Sequence, residues 1–285
     1  MKIKLPFFIA RRFVAAETLA GAIPVVRRLN EEGLHVTLDR LGEHVYDRQL
    51  TEEITDTYIH LLYTIEQEKL DATISLKLSS LGQMFDLELC KHNLGRILKV
   101  AKELNNFVRL DMEDSSLVPS TLEVFEHFYP EYPDNVGPVL QAYLKRTEQD
   151  VRRMCELKAR VRLVKGAYKE PPEVAYQDMD VIRQKFIAYM KLLMTEARYP
   201  AIATHDDVLI QATKAFAAEK GIRKDDFEFQ MLYGIRTQTQ RDIAREGYHM
   251  RVYVPYGTDW FPYFYRRLRE RKENVLFVLK HLFRA

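Results

Sequence analysis

Short runs of alternating apolar and polar residues recur along the chain about every 25–40 residues, each followed by a longer amphipathic run. The alternation predicts strands at Leu34–Asp39, Ala72–Leu78, Phe107–Met112, Gly137–Ala142, Val161–Val164, Ala201–Thr204, Phe227–Leu232 and Met250–Val254. The helical period predicts helices over Thr51–Glu68, Glu88–Leu104, Thr147–Lys158, Val174–Ala197, Val208–Lys220 and Thr237–Glu246. Ahead of them, Ile9–Leu29 reads as an amphipathic helix broken at Gly21 and Pro24. No low-complexity stretch or Pro/Gly/Ser-rich linker divides the chain. Strands alternating with helices in this number predict an α/β fold, a (β/α)8 barrel, with an open doubly wound sheet as the alternative.

The parity within the strands carries more information than their number. Val36 and Leu38 alternate with His35, Thr37 and Asp39; Ile74, Leu76 and Leu78 with Ser75, Lys77 and Ser79; Val108, Leu110 and Met112 with Arg109, Asp111 and Glu113. Gln141, Arg162, Glu228, Gln230, Arg251 and Tyr253 likewise sit opposite apolar neighbours. In a barrel the apolar set packs outward on the helices, which turns the polar set inward. Buried charges are costly unless they meet each other or a polar ligand. This interior therefore predicts a polar ligand at the C-terminal mouth; an ion-pair network that only stabilises is the plainer reading.

The stretch Met250–Glu270 extends the pattern. Pro255 and Gly257 are expected to stop the last strand, and Pro262 to sit in the first turn of a helix. On that helix Tyr263, Arg266, Arg267 and Glu270 share one face by their three- and four-residue spacings. Two adjacent guanidinium forks suit a small carboxylate. Ion pairs on a surface helix are the alternative.

With 285 residues, 47% of them hydrophobic, the chain can bury a large core. Lys+Arg 43 against Asp+Glu 41 gives no argument for a polyanionic partner. Cys90 and Cys155 lie inside helical patterns and make no disulfide framework, which points to a reducing, cytoplasmic compartment. The N-terminal apolar run is too short for a secretory signal, and no run is long enough to span a membrane.

Neither a G-x-G-x-x-G nor a P-loop pattern occurs, so neither nucleotide fingerprint is supported. His35 and His205 lie near strand ends without zinc spacing, and no metal site is expected. Lys77 and Lys165 suit a Schiff-base aldolase if desolvation leaves one of them neutral. A non-catalytic amino-acid sensor is the third reading open at this point.

Seven motifs then occur in register at successive strand ends: SLKLSSLG, VRLDMEDS, LQAYLKR, RVRLVKGAY, ATHD, FEFQMLYG, and RVYVPYG followed by YFYRRLRE. Through them the chain, from Gly33 to its C-terminus, resembles the FAD-dependent proline dehydrogenases, and most nearly their monofunctional bacterial type. Asp206 stands where the family often has Asn. The family usually carries more helical sequence before the barrel, so a short or trimmed form is expected, with an N-terminal helical segment over 1–32 and the catalytic barrel over 33–285.

The resemblance implies a distorted (β/α)8 TIM barrel with FAD across its C-terminal mouth. It implies catalytic roles for Asp111 and Arg162, the latter near the flavin N5. Met112, Gln141, Arg162, Val164, Lys165, Gly166, Ala167, Thr204 and His205 are implied to hold the cofactor. Arg266 and Arg267 are implied to take the proline carboxylate, with Lys77, Leu232, Tyr253, Tyr263 and Glu270 completing the pocket. The implied reaction is hydride transfer from C5 of L-proline, giving Δ1-pyrroline-5-carboxylate. Electrons are implied to pass to a quinone, with transient contact at the inner face of a membrane.

Overall fold

The computed structural model describes residues 7–270, and side chains as far as Arg267. Eight parallel strands close into a barrel in sequence order: β1 (His35–Arg40), β2 (Ala72–Leu76), β3 (Val108–Leu110), β4 (Val136–Gln141), β5 (Arg162–Val164), β6 (Ala201–Ala203), β7 (Glu228–Leu232) and β8 (His249–Tyr256). Closure is made by β8 against β1, with His35 opposite Arg251 and Asp39 opposite Pro255. The barrel expectation holds and the open sheet falls.

Helices follow the strands. They are α1 (Leu19–Glu31) before β1, then α2 (Arg48–Gln67), α3 (Leu87–Glu103), α4 (Val118–Phe128), α5 (Thr147–Glu156), α6 (Met179–Glu196), α7 (Asp207–Lys220), α8 (Thr237–Arg245) and α9 (Trp260–Glu270). Asp47, Asp86, Asp178 and Asp206 cap α2, α3, α6 and α7, each carboxylate accepting first-turn backbone N–H groups. The outward strand residues Val36, Leu38, Ile74, Leu76, Val108, Leu110, Leu163, Ile202, Phe229, Val252 and Val254 are all fully buried in one continuous core. Each contributes about 1.5–3 kcal/mol of apolar burial.

Four local expectations need correction. α1 runs straight through Pro24 and starts only at Leu19, because Thr18 caps it through the Gly21 N–H. Burial of Ala22, Val26 and Leu29 offsets the hydrogen bond that Pro24 forgoes. α4 was not expected; Pro119 lies in its first turn, where a missing N–H costs nothing. α6 begins at Met179 rather than Val174, since Asp178 caps it and Ala175 bridges to Leu144. β8 continues past Pro255 to Tyr256: β7 ends opposite Tyr253, so the absent N–H has no ladder partner to lose.

The first and last described segments meet. α1 packs on β1 and β8, the place an eighth barrel helix would take. α9 instead lies at the mouth, where Trp260, Tyr263 and Phe264 form a second apolar cluster with Ile9, Ala10, Phe13, Val14 and Leu41. Gly234, at φ +72°, lets the β7–α8 turn pass against the Arg12 carbonyl; a Cβ there would lie 1.6 Å from that oxygen. No helix among the described residues is long and apolar enough to cross a membrane.

Candidate active site

The inward polar residues pair across the barrel, in layers. At the N-terminal end Arg251 Nε lies 3.0 Å from both Glu228 oxygens and its Nη1 donates to the Val36 carbonyl at 2.8 Å. Burial alone would raise the Glu228 pKa, but Arg251, Gln230 and Arg109 outweigh it and hold the carboxyl at about 2. Halfway up, Thr37 and Ser75 hydroxyls meet at 3.1 Å, and Arg162 Nη2 donates to Ser75 at 3.0 Å.

The C-terminal layer is the floor of a cavity of about 880 Å³. Asp111, one residue beyond β3, accepts from Arg162 Nη1 at 2.6 Å on one oxygen and from the Tyr253 hydroxyl at 2.7 Å on the other. Burial and the Asp111 and Asp39 carboxylates raise the Tyr253 pKa, so it stays a donor. Lys77 Nζ lies 3.2 Å from both Asp39 oxygens and 3.9 Å from Asp111. Burial would discharge Lys77, but the two carboxylates prevail and raise its pKa.

Strand ends and following loops wall the cavity. Met112, Gln141, Val164, Lys165, Gly166, Ala167, Thr204, His205 and Leu232 all line it, as do Tyr263, Arg266 and Arg267 of α9. Gln141 Nε2 donates to the Glu113 carbonyl at 2.8 Å. Thr204 Oγ1 accepts from the Asp206 N–H at 3.1 Å, and His205 Nε2 from the Leu232 N–H at 3.0 Å. Lys165 Nζ reaches Asp206 at 3.2 Å. Gly166 has φ +123°, and a Cβ there would lie 2.2 Å from the Tyr143 ring. Only glycine lets this backbone pass so close to the Tyr143 ring. Arg266 pairs with Glu43 at 2.6 Å, a partner the helix face alone did not reveal, and this guanidinium overcomes burial to lower the Glu43 pKa. Arg267 packs its guanidinium over Tyr263, 5.4 Å from the ring centroid. The side chain of Glu270 lies outside the described residues.

A sequence model of the proline dehydrogenase family matches residues 22–280. The chain belongs to the proline dehydrogenase family. It is 45% identical over 271 residues to proline dehydrogenase 1 of Bacillus subtilis strain 168, covering 95% of this chain and 89% of the relative. It is 40% identical over 281 residues to proline dehydrogenase of Deinococcus radiodurans, covering 97% and 91%. Proline utilization A (PutA) from Bdellovibrio bacteriovorus, in a crystal structure of the protein inactivated by N-propargylglycine, superposes with a TM-score of 0.86 at 27% identity. That match covers 92% of this chain and 32% of the other, so the chain spans about a third of that protein.

The chain is an oxidoreductase that oxidises proline in proline catabolism, and the family implies a flavin cofactor. The aldolase reading falls with that assignment, and Lys77 gives the physical reason: an ammonium held protonated between carboxylates has no lone pair for a carbonyl. The sensor reading falls with it. Several lining residues were not expected. Arg236 sits at φ +53° ahead of α8, donating to the His205 carbonyl at 2.6 Å and to Asp207 at 2.6 Å. Its place just after a strand and a Tyr-Gly turn was a usable signal. Arg183, on α6 and 2.9 Å from Asp206, gave none, because nothing in its helix marks it out. Tyr168 also lines the cavity.

Proposed function

We propose that the cavity holds FAD against Gly166, and that L-proline lies between it and the Arg162–Asp111–Tyr253–Lys77 floor. The single observation that carries this is the geometry of Asp111, fixed by Arg162 and Tyr253 beneath a mouth lined by Arg266 and Arg267. The fit to a dinucleotide rests on the bare Gly166 backbone in the cavity lining and on side chains that offer Lys165, Arg183 and Arg236 to phosphate oxygens. Bound FAD supplies the hydride acceptor.

The chain's own groups do the rest. Arg266 and Arg267 fork onto the proline carboxylate and set which ring carbon faces the acceptor. Asp111, already accepting from two donors, turns its carboxyl group toward the proline nitrogen. Oxidation takes a hydride from C5 to the acceptor and releases a proton from nitrogen to solvent, giving Δ1-pyrroline-5-carboxylate. Arg162 places a fixed positive charge beside the reacting atoms at no cost in reorganisation. Met112, Gln141, Val164, Lys165, Ala167, Thr204 and His205 border the cofactor, and Leu232 and Tyr263 the substrate.

We assign the electron acceptor to the quinone class, met at the inner face of a membrane by a cytoplasmic protein. Phe261 and Tyr265, exposed and stacked on α9, and Phe8, exposed in the N-terminal turn, support such surface contact. The test is optical. The purified FAD-loaded protein should be yellow, and anaerobic L-proline should bleach it, with a soluble quinone restoring the colour. A protein that takes up no FAD, or whose colour proline leaves unchanged, would refute this reading.

A further inference from the structure

Asp39 is an ionisable group of the upper layer that does not itself line the cavity. It ends the inward row of β1 and is completely buried, at 0% exposure. An isolated carboxylate so placed costs several kcal/mol in lost hydration. Both of its oxygens are committed to Lys77, at 3.2 Å each. Lys77 lines the cavity and also approaches Asp111, at 3.9 Å, where the Tyr253 hydroxyl already donates at 2.7 Å.

We propose that Asp39 is a positioning residue, which anchors the Lys77 ammonium on the β1 side of the pocket and so keeps it off Asp111. The inference rests on the proposed function, since it gives the anchored ammonium a ligand to meet. Asp39 and Asp111 balance the charges of Lys77 and Arg162. Without Asp39 the nearest remaining carboxylate for Lys77 is Asp111, whose oxygens already accept from Arg162 and Tyr253. The ammonium then closes the 3.9 Å gap, competes with both donors and leaves the place where it faces the ligand. Asp39 thus acts on proline without touching it, through Lys77.

The test is a double-mutant cycle on the FAD-loaded protein: wild type, Asp39→Asn, Lys77→Met and the double variant. The probe is tetrahydrofuran-2-carboxylate, which has the ring and carboxylate of proline but no N–H to lose. Its Kd is measured by titration calorimetry, beside KM and kcat for proline. Asp39→Asn is expected to weaken the probe about tenfold, the effect of losing one charge-assisted contact. In the Lys77→Met background the same change should have no further effect on Kd. Losses that multiply in the double variant, or a wild-type Kd in Asp39→Asn, overturn the role. A purely structural Asp39 would lower Tm equally in both backgrounds and leave Kd and KM alone, which also overturns it. Should Asp39→Asn not fold, Asp39→Glu is read the same way: a longer carboxylate pushes Lys77 across the pocket, so Kd must rise while kcat changes less. A wild-type protein that does not bind the probe overturns the proposed function together with this inference; one that binds it while the losses multiply overturns only the role of Asp39.

Discussion

From β5, Arg162 reaches past β4 to the Asp111 carboxylate at the end of β3, with Nη1 2.6 Å from Oδ1. The second arm of the fork ends on Ser75 of β2. One side chain therefore ties three strands together at the floor of the cavity.

Arg162→Ala should slow anaerobic bleaching by proline about a hundredfold, the usual effect of deleting one preorganised electrostatic donor. Flavin content should persist, because Lys165, Gly166 and Thr204 remain. Arg162→Lys should restore little, since a single ammonium cannot reach Asp111 and Ser75 together. Stopped-flow absorbance reads the rate. A normal rate with normal flavin content would reduce Arg162 to a structural tie.

Arg266→Met and Arg267→Met should each lower kcat/KM for proline by roughly ten- to a hundredfold. Methionine keeps the apolar stem, so unfolding temperatures should change little. Pyrrolidine lacks the carboxylate, and its slow turnover should be almost untouched by either change. Equal losses on both substrates would assign these arginines to the fold or the cofactor. Arg266→Met also strands Glu43, so its carboxyl should titrate at higher pH than in the wild type.

Gly166→Ala should abolish flavin retention while leaving a folded barrel. The new Cβ would lie 2.2 Å from the Tyr143 ring at φ +123°, so the loop must move. Circular dichroism and the ratio of flavin to protein absorbance separate the two effects. Tyr143→Ala opens the space but not the φ restriction, so the double variant should regain only part of the flavin.

Acid stability should depend on Glu228. Its folded pKa is depressed to about 2 from the ordinary 4.5. A depressed carboxyl contributes stability above its unfolded pKa and loses it as pH falls through the folded one. The contribution is on the order of 3 kcal/mol, present at neutral pH and lost between about pH 4.5 and 2. Urea melts across that window should flatten in Glu228→Gln, which keeps the shape but not the charge. A parallel pH slope in both proteins would rule this out.

The strand and helix periods, and the inward turn of Asp39, Lys77, Asp111, Arg162, Glu228 and Tyr253, were legible in the sequence, because period two is a local property of a strand and an apolar outer face leaves polar residues only one side. The strand-end motifs also brought all but one of the expected site residues to one cavity wall, Glu270 lying outside the described side chains. Partners were another matter. That Arg162 meets Asp111, Lys77 meets Asp39 and Arg266 meets Glu43 depends on barrel closure and on α9 crossing the mouth while α1 takes the outer place. Those pairs are 51, 38 and 223 residues apart, beyond the reach of any local spacing rule. Arg183 enters the lining from the start of α6 for the same reason. Local chemistry determined which residues face inward; only the closed barrel decided which of them touch.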